Sequence, residues 1–492
     1  MKQLSQVIAF LNITLPVDAD VIVNRIYQDQ RLCGENDIFI ALSGAVFDGH
    51  QYVRHAQAKG ACLCIVEDIK RIDNTCDLSS VVEITDIRQR LSALADWFYQ
   101  NPSQKLNITA VTGTNGKTTV SHYIAQLFCL LGEKTAILGT TGNGIYPKLE
   151  TSSHTTLDNL QLQSHLSDYQ NEAVKNVVME ASSHAIAQNR IAQLAIDTAV
   201  FTNLDEEHLD YHQTLENYFE AKAKLFEQPH LKNAVINIDD PYGQRLYDKL
   251  KKQGKLSLFC YSTIHKNADT FFYIKQYYPD AIAVDIFWQK HQVASLHLPV
   301  LGDFNISNIA AAFTSMMAND YPLMAVVEKL PELKGVPGRL ELLKMANKAL
   351  VVIDFAHTPD ALQKVLKAMQ NQLNGRLICV FGCGGDRQKT KRASMAAIAQ
   401  KLADFCIVSE DNNRYESFES ISADIIKGFD PQIKNYYIEP KREIAIEKAI
   451  SMSEACDIIL LAGKGHENYI DEKGQKRYFN EKEVVESIWR KS

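Results

Sequence analysis

The sequence predicts an α/β protein of several domains built on parallel sheets. Three observations carry that expectation. Apolar runs of strand length alternate with helical stretches along the chain, the pattern of parallel strands covered on both faces. At 492 residues the chain exceeds one ordinary core, and length suggests about three domains. The segment ITAVTGTNGKTTV, 108–120, reads as a strand, a glycine turn and a helix start.

Residues 1–100 form the first expected unit. Strand-like runs DIFIAL, ACLCIVE and SSVVEIT alternate with helical stretches at 50–60 (HQYVRHAQAKG) and 88–100 (RQRLSALADWFYQ), with no phosphate loop. The polar linker NPSQKLN, 101–107, ends the preceding helix at its proline. Residues 101–335 hold ITAVTG, TAILGT, NVVME, TAVFTN and AVINID, with a helix VSHYIAQLFCLLG after the glycine turn. A largely parallel sheet is expected there. KGVPG, 334–338, marks the next boundary. Residues 336–492 repeat the pattern with ALVVIDF, RLICVFG, FCIVSED and DIILLAG. Polar clusters follow these four strands: DFAHTPD, GCGGDRQKTKR, EDNNR and GKGHEN. Ligands of open α/β sheets bind beyond the carboxyl ends of strands, so a second binding face is expected there.

Composition narrows the function classes. The chain is 46% hydrophobic and 23% charged, with net charge −7 and no basic arm. Nucleic acid is therefore not an expected partner. No run approaches the ~18 apolar residues that span a bilayer, so no membrane insertion is expected. The apolar run at the N-terminus is short, interrupted and lacks a small-residue cleavage site. The ten cysteines are scattered without a CxxC pair and read as buried thiols in a reducing compartment, so cytoplasm is the expected location. Cys383, in a glycine loop, is the one alternative reading as a nucleophile.

The glycine turn carries the clearest chemistry. Gly113, Thr114, Asn115 and Gly116 let backbone N–H groups approach an anion, and the helix start adds dipole charge. Lys117 supplies a cation to phosphate oxygens, Thr118 a hydroxyl for a phosphate-bound magnesium ion, and Thr119 continues the helix start. Only two residues separate Gly113 from Gly116, shorter than the common GxxxxGK[ST] loop. Glu180 closes NVVME, where it either holds a metal or caps a helix. His208 lies in DEEHLDYH as a metal-site or a structural histidine, and its spacing to His212 also admits a zinc reading, which lacks soft partners. Lys222, in the amphipathic ENYFEAKAKLF, reads by pattern alone as a solvated lysine. Asn305 and Asn308 in GDFNISN either cap a helix or hydrogen-bond a base edge. Asp354 and His357 form a strand-end pair. Asp386, Arg387, Lys389, Lys391 and Arg392 make a basic cluster. Arg414 and Glu467 together suit a zwitterionic amino acid, the arginine for carboxylate and the glutamate for amine.

These motifs together resemble the ATP-dependent Mur ligases of peptidoglycan synthesis. The resemblance rests on TGTNGKTT (112–119), MEASSHAIAQNR (179–190), FTNLDEEHLDYH (201–212), YFEAK (218–222), GDFNISN (302–308), GRLE (338–341), DFAHTPDAL (354–362), FGCGGDRQKTKR (381–392), EDNNR (410–414) and AGKGHE (462–467). It implies a three-domain architecture: a uridine-nucleotide-binding α/β domain at 1–100, a central P-loop ATPase-like parallel-sheet domain at 101–335, and a Rossmann-like α/β domain at 336–492. It implies ATP and Mg2+ as cofactors and an acyl-phosphate intermediate on a substrate carboxylate. Within the family the chain looks like the members that add the third residue to UDP-N-acetylmuramoyl-L-alanyl-D-glutamate. A monomer is expected.

The resemblance also assigns roles. Lys117 and Thr118 match ATP-phosphate and magnesium positions, Glu180 and His208 the metal site, and Lys222 the lysine that the family carbamylates into a carboxylate-like metal ligand. Asn305, Arg339, Asp354 and His357 match nucleotide-site positions. Thr155, Thr156, Ser182, Gln188 and Arg190 match residues that hold the UDP-muramoyl dipeptide. Gln30, Arg31, Gly44, Asp48, Gly49 and His50 fall in the uridine-binding region, where Asp29-Gln30-Arg31 replaces the usual Asp-Ser-Arg. Arg387, Asp411, Asn412, Arg414, Gly463 and Glu467 match the amino-acid site. Members that add diaminopimelate read Asp-Asn-Pro-Arg where this chain has Asp411-Asn412-Asn413-Arg414, and lysine-adding members lack that arginine. An arginine fork pairs with the second carboxylate of meso-diaminopimelate, so that substrate is favoured over L-lysine. Losing the proline is expected to loosen the loop rather than remove the contact. The alternatives are a sister Mur ligase, a folylpolyglutamate synthase, or a nucleotide-binding regulator without ligation.

Overall fold

The computed structural model describes residues 2–14, 21–44, 47–152 and 154–491. The chain divides into two compact units: Met1–Lys117, Phe128–Ile236 and Arg245–Leu258 in one, Thr118–Leu127, Asn237–Gln244 and Phe259–Ser492 in the other.

The first unit holds two parallel arrays. The smaller runs Ile26–Tyr27, Ile38–Ala41, Leu63–Val66, Val81–Glu83 in spatial order, all parallel. Successive side chains point to opposite faces of a strand, so one strand feeds two cores. Ile38 and Ile40 pack with Leu4, Val7, Leu91 and Phe98, while Phe39 and Ala41 pack with Val53, Ala56 and Val66. In the larger array Asn233–Asn237, Thr198–Phe201, Asn107–Thr112, Asn176–Glu180 and Thr135–Gly139 lie side by side in parallel, and Gly142–Ile145 closes the edge antiparallel. The strand that feeds the glycine turn is central. Its residues 108–112 are all buried, which is why it reads as an unbroken apolar run.

In the second unit Thr270–Tyr278, Ala281–Trp288 and His291–Leu298 form an antiparallel meander, joined in parallel by Ser257–Ser262 at Tyr261 and Ser262. The central sheet is largely parallel as expected, and these strands add an antiparallel edge that the sequence reading did not include. Their tight turns carry little signal: Gln289 and Lys290 both adopt positive φ, 48° and 70°, without the Asn-Gly pair that normally announces such a hairpin. Helix Asp303–Ala318 is buried along most of its length, with Phe313 edge-on to Phe272 at 5.8 Å.

The second sheet of this unit runs Glu341–Leu343, Leu350–Asp354, Ile458–Ala462, Leu377–Phe381, Phe405–Val408, Tyr436–Ile438, parallel except for the first. Val352, Cys379, Cys406 and Leu460 face one core, and Val351, Ile378, Ile407 and Ile459 the other. The last long strand inserts between two earlier ones. That insertion sets the loops after Asp354, Phe381 and Ala462 beside one another at the carboxyl ends, where such sheets bind ligands. No helix among the described residues is long and apolar enough to cross a membrane.

Candidate functional site

Each unit carries its own cluster of the residues singled out by sequence. In the first, the glycine turn leaves the central strand at Thr112. Gly113 has φ +150°, and a Cβ there would fall against the Thr202 hydroxyl and the Asn203 backbone, so only glycine fits. Thr114 N–H donates to the Asn203 carbonyl (2.8 Å) and Asn115 N–H to the Asn203 side chain (2.8 Å), which fixes the turn. Gly116 follows at positive φ, and Lys117 starts helix Lys117–Leu130. Lys117 Nζ donates to the carbonyls of Gly113 (2.9 Å) and Thr114 (2.8 Å). Thr118 and Thr119 are buried in the first turn of that helix and fall in the second unit.

Lys222 is also drawn to this turn. It is 1% exposed, its Nζ donates to the Gly113 carbonyl at 2.8 Å, and it lies 4.4 Å from the Tyr218 ring centroid one helical turn earlier. The solvated-lysine reading is therefore overturned. No carboxylate pairs with it among the described residues. Burial, reinforced by the charge of Lys117, holds its amine well below the usual lysine range. The sequence pattern hid this because the helix buries Tyr218, Phe219, Ala221, Lys222 and Ala223 together.

Glu180 ends the strand adjacent to the central one, in register with Val111. Its buried carboxylate accepts from Thr140 N–H (2.7 Å) and the Thr140 hydroxyl (3.1 Å). The Thr155 hydroxyl lies 3.1 Å from that same hydroxyl, whose free lone pairs can accept from it. Thr156 donates to the Glu180 carbonyl (2.8 Å) and accepts from Ser182 N–H (3.1 Å). Ser182 caps the short helix Ser183–Ala187, and Arg190 donates to the Thr156 carbonyl (3.0 Å) and to Gln188 Oε1 (2.6 Å). Thr155, Thr156, Glu180, Ser182, Gln188 and Arg190 thus form one connected network, which joins Glu180, read from sequence as a metal-site residue, to the residues read as holding the dipeptide.

His208, at φ +56°, is exposed, with its ring 6.1 Å from Tyr218 and edge-on to His184 at 5.0 Å. His212 is buried with Nε2 3.0 Å from the Ser183 hydroxyl. Burial first, then neighbouring imidazoles, holds His184 and His212 below their usual values. His184 and Tyr218 were not singled out by sequence reading. Nothing in their spacing distinguishes them from packing residues. The zinc reading of His208 and His212 gains no partners, since no group of three or more His, Cys, Asp or Glu side chains converges as a metal site among the described residues.

The uridine-region residues lie apart from this network. Arg31 forks onto Asp29 at 2.6–3.0 Å across the partly buried Gln30, and Gly44 N–H donates to the Phe47 carbonyl (2.8 Å). His50 is fully buried. Its Nε2 accepts from Asp68 N–H (3.2 Å), so Nδ1 carries the proton donated to Asp48 (2.6 Å). Both ring nitrogens are spent holding the loop.

The second unit holds the remaining residues, Asn305 and Asn308 at the start of helix Asp303–Ala318 and the others at or beyond the ends of neighbouring strands. Asn305 Nδ2 donates to the Leu301 carbonyl (2.9 Å), and its Oδ1 accepts from Asn308 (3.1 Å), a helix-start arrangement. Asp354 accepts from Leu340 N–H (2.9 Å) and Ala356 N–H (2.8 Å). Burial pushes its carboxyl up, against the opposing charge of Arg339. The Arg339 guanidinium lies 5.0 Å from the Phe355 ring centroid with its buried Nε unpartnered. His357 packs on the same ring at 4.6 Å, its Nδ1 2.8 Å from the Phe355 carbonyl.

Beside them, Arg414 Nη1 donates to the Gly385 carbonyl (2.7 Å). Its backbone, at φ +51°, is tied to the hairpin Tyr469–Glu472 and Gln475–Tyr478 by Arg414 N–H to Asp471 O (2.9 Å) and Lys473 N–H to Arg414 O (2.7 Å). Those bonds hold the loop that lacks the proline. Asn412 donates from Nδ2 to Glu467 Oε2 (2.8 Å), and Gly463, at φ +115°, leaves room for Asp411. Arg387 is exposed on the loop after Phe381. Arg392, grouped by sequence with the basic cluster, turns fully inward onto Glu416 (2.8 Å) and Asp424 (3.1 Å) and is structural. Cys383 is buried against Met395 and its thiol is pushed up to about 12, which removes the nucleophile reading. Sequence reading missed Lys464, a fully buried cation inside this cluster. A separate cavity of about 940 Å3, lined by residues including Glu447, Ile450, Ile459 and Trp489, touches none of the candidate site residues.

Residues 111–316 match the Mur ligase middle domain and residues 338–465 the Mur ligase, glutamate ligase domain. The chain is 41% identical over 470 residues to the UDP-N-acetylmuramoyl-L-alanyl-D-glutamate--2,6-diaminopimelate ligase of Pseudomonas aeruginosa, covering 95% of both chains. A solved structure of a ligase of the same description superposes with a TM-score of 0.70 at 34% identity, over 100% of this chain and 99% of the other. The MurF ligase of Thermotoga maritima, solved with ADP, shares the fold at 18% identity and a TM-score of 0.65, over 96% and 98% of the two chains. With matches that span both units nearly end to end, this chain belongs to the Mur ligase family.

Proposed function

We propose that the chain is an ATP-dependent ligase that joins meso-2,6-diaminopimelate to the D-glutamate of UDP-N-acetylmuramoyl-L-alanyl-D-glutamate, releasing ADP and phosphate. It acts in the cytoplasm as a monomer, with residues 1–100 taking the UDP-muramoyl substrate, 101–335 ATP and 336–492 the amino acid. The observation that carries the reading is the grouping of Arg414, Asn412 and Glu467 in a relative 41% identical to a diaminopimelate-adding ligase.

A carboxylate oxygen is a poor leaving group, so the D-glutamate carboxylate first attacks the γ-phosphorus of ATP and ADP departs. The amine then attacks the acyl carbon and phosphate leaves with the bonding electron pair. The glycine turn and Lys117 cradle the phosphates and offset the charge that spreads over the transferred group. Asn305, Arg339, Asp354 and His357 hold the nucleotide. Thr155, Thr156, Ser182, Gln188 and Arg190 hold the muramoyl dipeptide, as do Gln30, Arg31 and the Gly44–His50 loop at its uridine end.

The donor set suits magnesium, which prefers hard oxygen ligands. Thr118 offers a hydroxyl and Glu180 a carboxylate, with His208 beside them in the assignment. Bound there, magnesium supplies positive charge to the phosphate oxygens. Lys222 completes the set as a carbamate. Its neutral amine attacks CO2, a nitrogen–carbon bond forms and a proton is lost, which leaves a carboxylate. The supporting observation is a buried amine held below its usual value with no carboxylate partner.

The test is phosphate release from purified protein with ATP, magnesium and the UDP-muramoyl dipeptide, with products identified by mass. Turnover with meso-diaminopimelate and none with L-lysine is expected. Turnover with lysine alone overturns the substrate assignment, and no product with either overturns the ligase reading.

A further inference from the structure

Lys464 is 0% exposed and lies between Gly463 and Gly465, both at positive φ. Its ammonium has three protons and three acceptors: Asn412 Oδ1 at 2.9 Å, Glu467 Oε2 at 3.1 Å and Asp411 Oδ1 at 3.5 Å. The Tyr469 ring centroid lies 5.3 Å away. Asn412 Oδ1 also accepts from Asp471 N–H at 2.9 Å, so both its lone pairs are taken. Its Nδ2 spends one proton on Glu467 Oε2 at 2.8 Å and keeps the other. Glu467 Oε2 is therefore doubly engaged, while Oε1 has only a long 3.4 Å contact with the Tyr469 hydroxyl.

We propose that Lys464 is a positioning residue for amino-acid recognition: its buried ammonium locks the Asn412 amide and the Glu467 carboxylate so that each shows one open valence to a zwitterion. This rests on the amino-acid site assigned above. The open Asn412 N–H, with the unspent donors of Arg414, meets carboxylate. The open Glu467 oxygen meets ammonium. Without Lys464 the amide oxygen loses its charged donor and keeps the Asp471 N–H alone to set its orientation, and the buried Asp411 and part-buried Glu467 carboxylates lose their shared cation. A flipped amide would present an acceptor to a substrate carboxylate.

The test is steady-state kinetics of the full chain with meso-diaminopimelate varied at saturating ATP and UDP-muramoyl dipeptide. Lys464→Met is expected to raise the KM for diaminopimelate about thirtyfold, since it strips a charge-assisted partner from two recognition groups. The kcat should stay within about threefold and the KM for ATP unchanged. Lys464→Arg should restore part of the KM. In an Asn412→Ala background, Lys464→Met should add little, because the two act as one unit. Lys464→Gln carries the same comparison if the methionine variant does not fold. An unchanged KM, or effects that multiply independently in the double variant, overturns the inference while a wild-type enzyme that ligates diaminopimelate leaves the proposed function standing. A wild-type enzyme that makes no such product overturns both.

Discussion

Among the described residues two lysines are buried, one in each unit, and their surroundings are opposite. Lys464 has two carboxylates and an amide around it. Lys222 has a single carbonyl and the face of Tyr218. A buried cation is costly unless paired. The first arrangement meets that cost with fixed anions and makes a rigid recognition frame. The second gives the amine no anion in contact, and burial holds it well below the usual lysine range, toward the neutral form that reacts as a nucleophile. Under the proposed function the same residue type thus serves as a strut in one place and as a site of chemistry in the other.

The comparison breaks most readily at Lys222. Lys222→Ala should lower phosphate release about a thousandfold, as expected when one group that stabilises charge at a reacting centre is removed. Formate or acetate should restore part of it by replacing the missing carboxylate. Wild-type activity in that variant would end the contrast. Arg442 sharpens it with a third case. This arginine is fully buried against Glu481 at 2.8 Å. Arg442→Met should cost about 3–5 kcal/mol in thermal or denaturant unfolding, because it strands a buried carboxylate. A loss near zero would mean that buried ions here are cheap, and the argument about Lys222 would weaken with it.

Arg414→Ala should raise the KM for meso-diaminopimelate about a hundredfold, the scale of a lost charge-assisted fork. The KM for ATP should not move, and equal loss of both would remove its substrate-selecting role. The smallest effect concerns His122, buried near Arg339 and His466 and held down to about 4, chiefly by burial. Its unfolded value is near 6.5, so below that pH unfolding takes up a proton. Stability present above about pH 6.5 is therefore lost as pH falls toward 4. His122→Gln should recover about 2 kcal/mol of the stability lost between pH 7 and pH 5, read from unfolding midpoints across that range.

How much of this was legible from sequence follows from what each signal encodes. The glycine turn was readable because Gly113 and Gly116 are demanded by backbone geometry, and geometry leaves a residue-type mark. The strand-end clusters were readable because parallel sheets put polar loops after apolar runs. The antiparallel meander at 270–298 was not foreseen, since Gln289-Lys290 makes a tight turn with residues that do not advertise one. Lys222 was misread by pattern because a helix that is polar by composition can still be buried, and only the family resemblance pointed the other way. Arg392 follows the exposed cations Arg387 and Lys389 in sequence, and only its partners Glu416 and Asp424, distant along the chain, turn it inward, whereas Lys464 is held by Glu467 three residues on together with the distant Asp411.

The most direct test of the contrast between the two lysines is carbon-13 NMR of the protein equilibrated with labelled bicarbonate. One carbamate resonance is expected in the wild type, absent from Lys222→Ala and retained in Lys464→Met. No carbamate resonance in the wild type, or one that survives Lys222→Ala, would contradict the assignment of Lys222 as the reactive member of the pair.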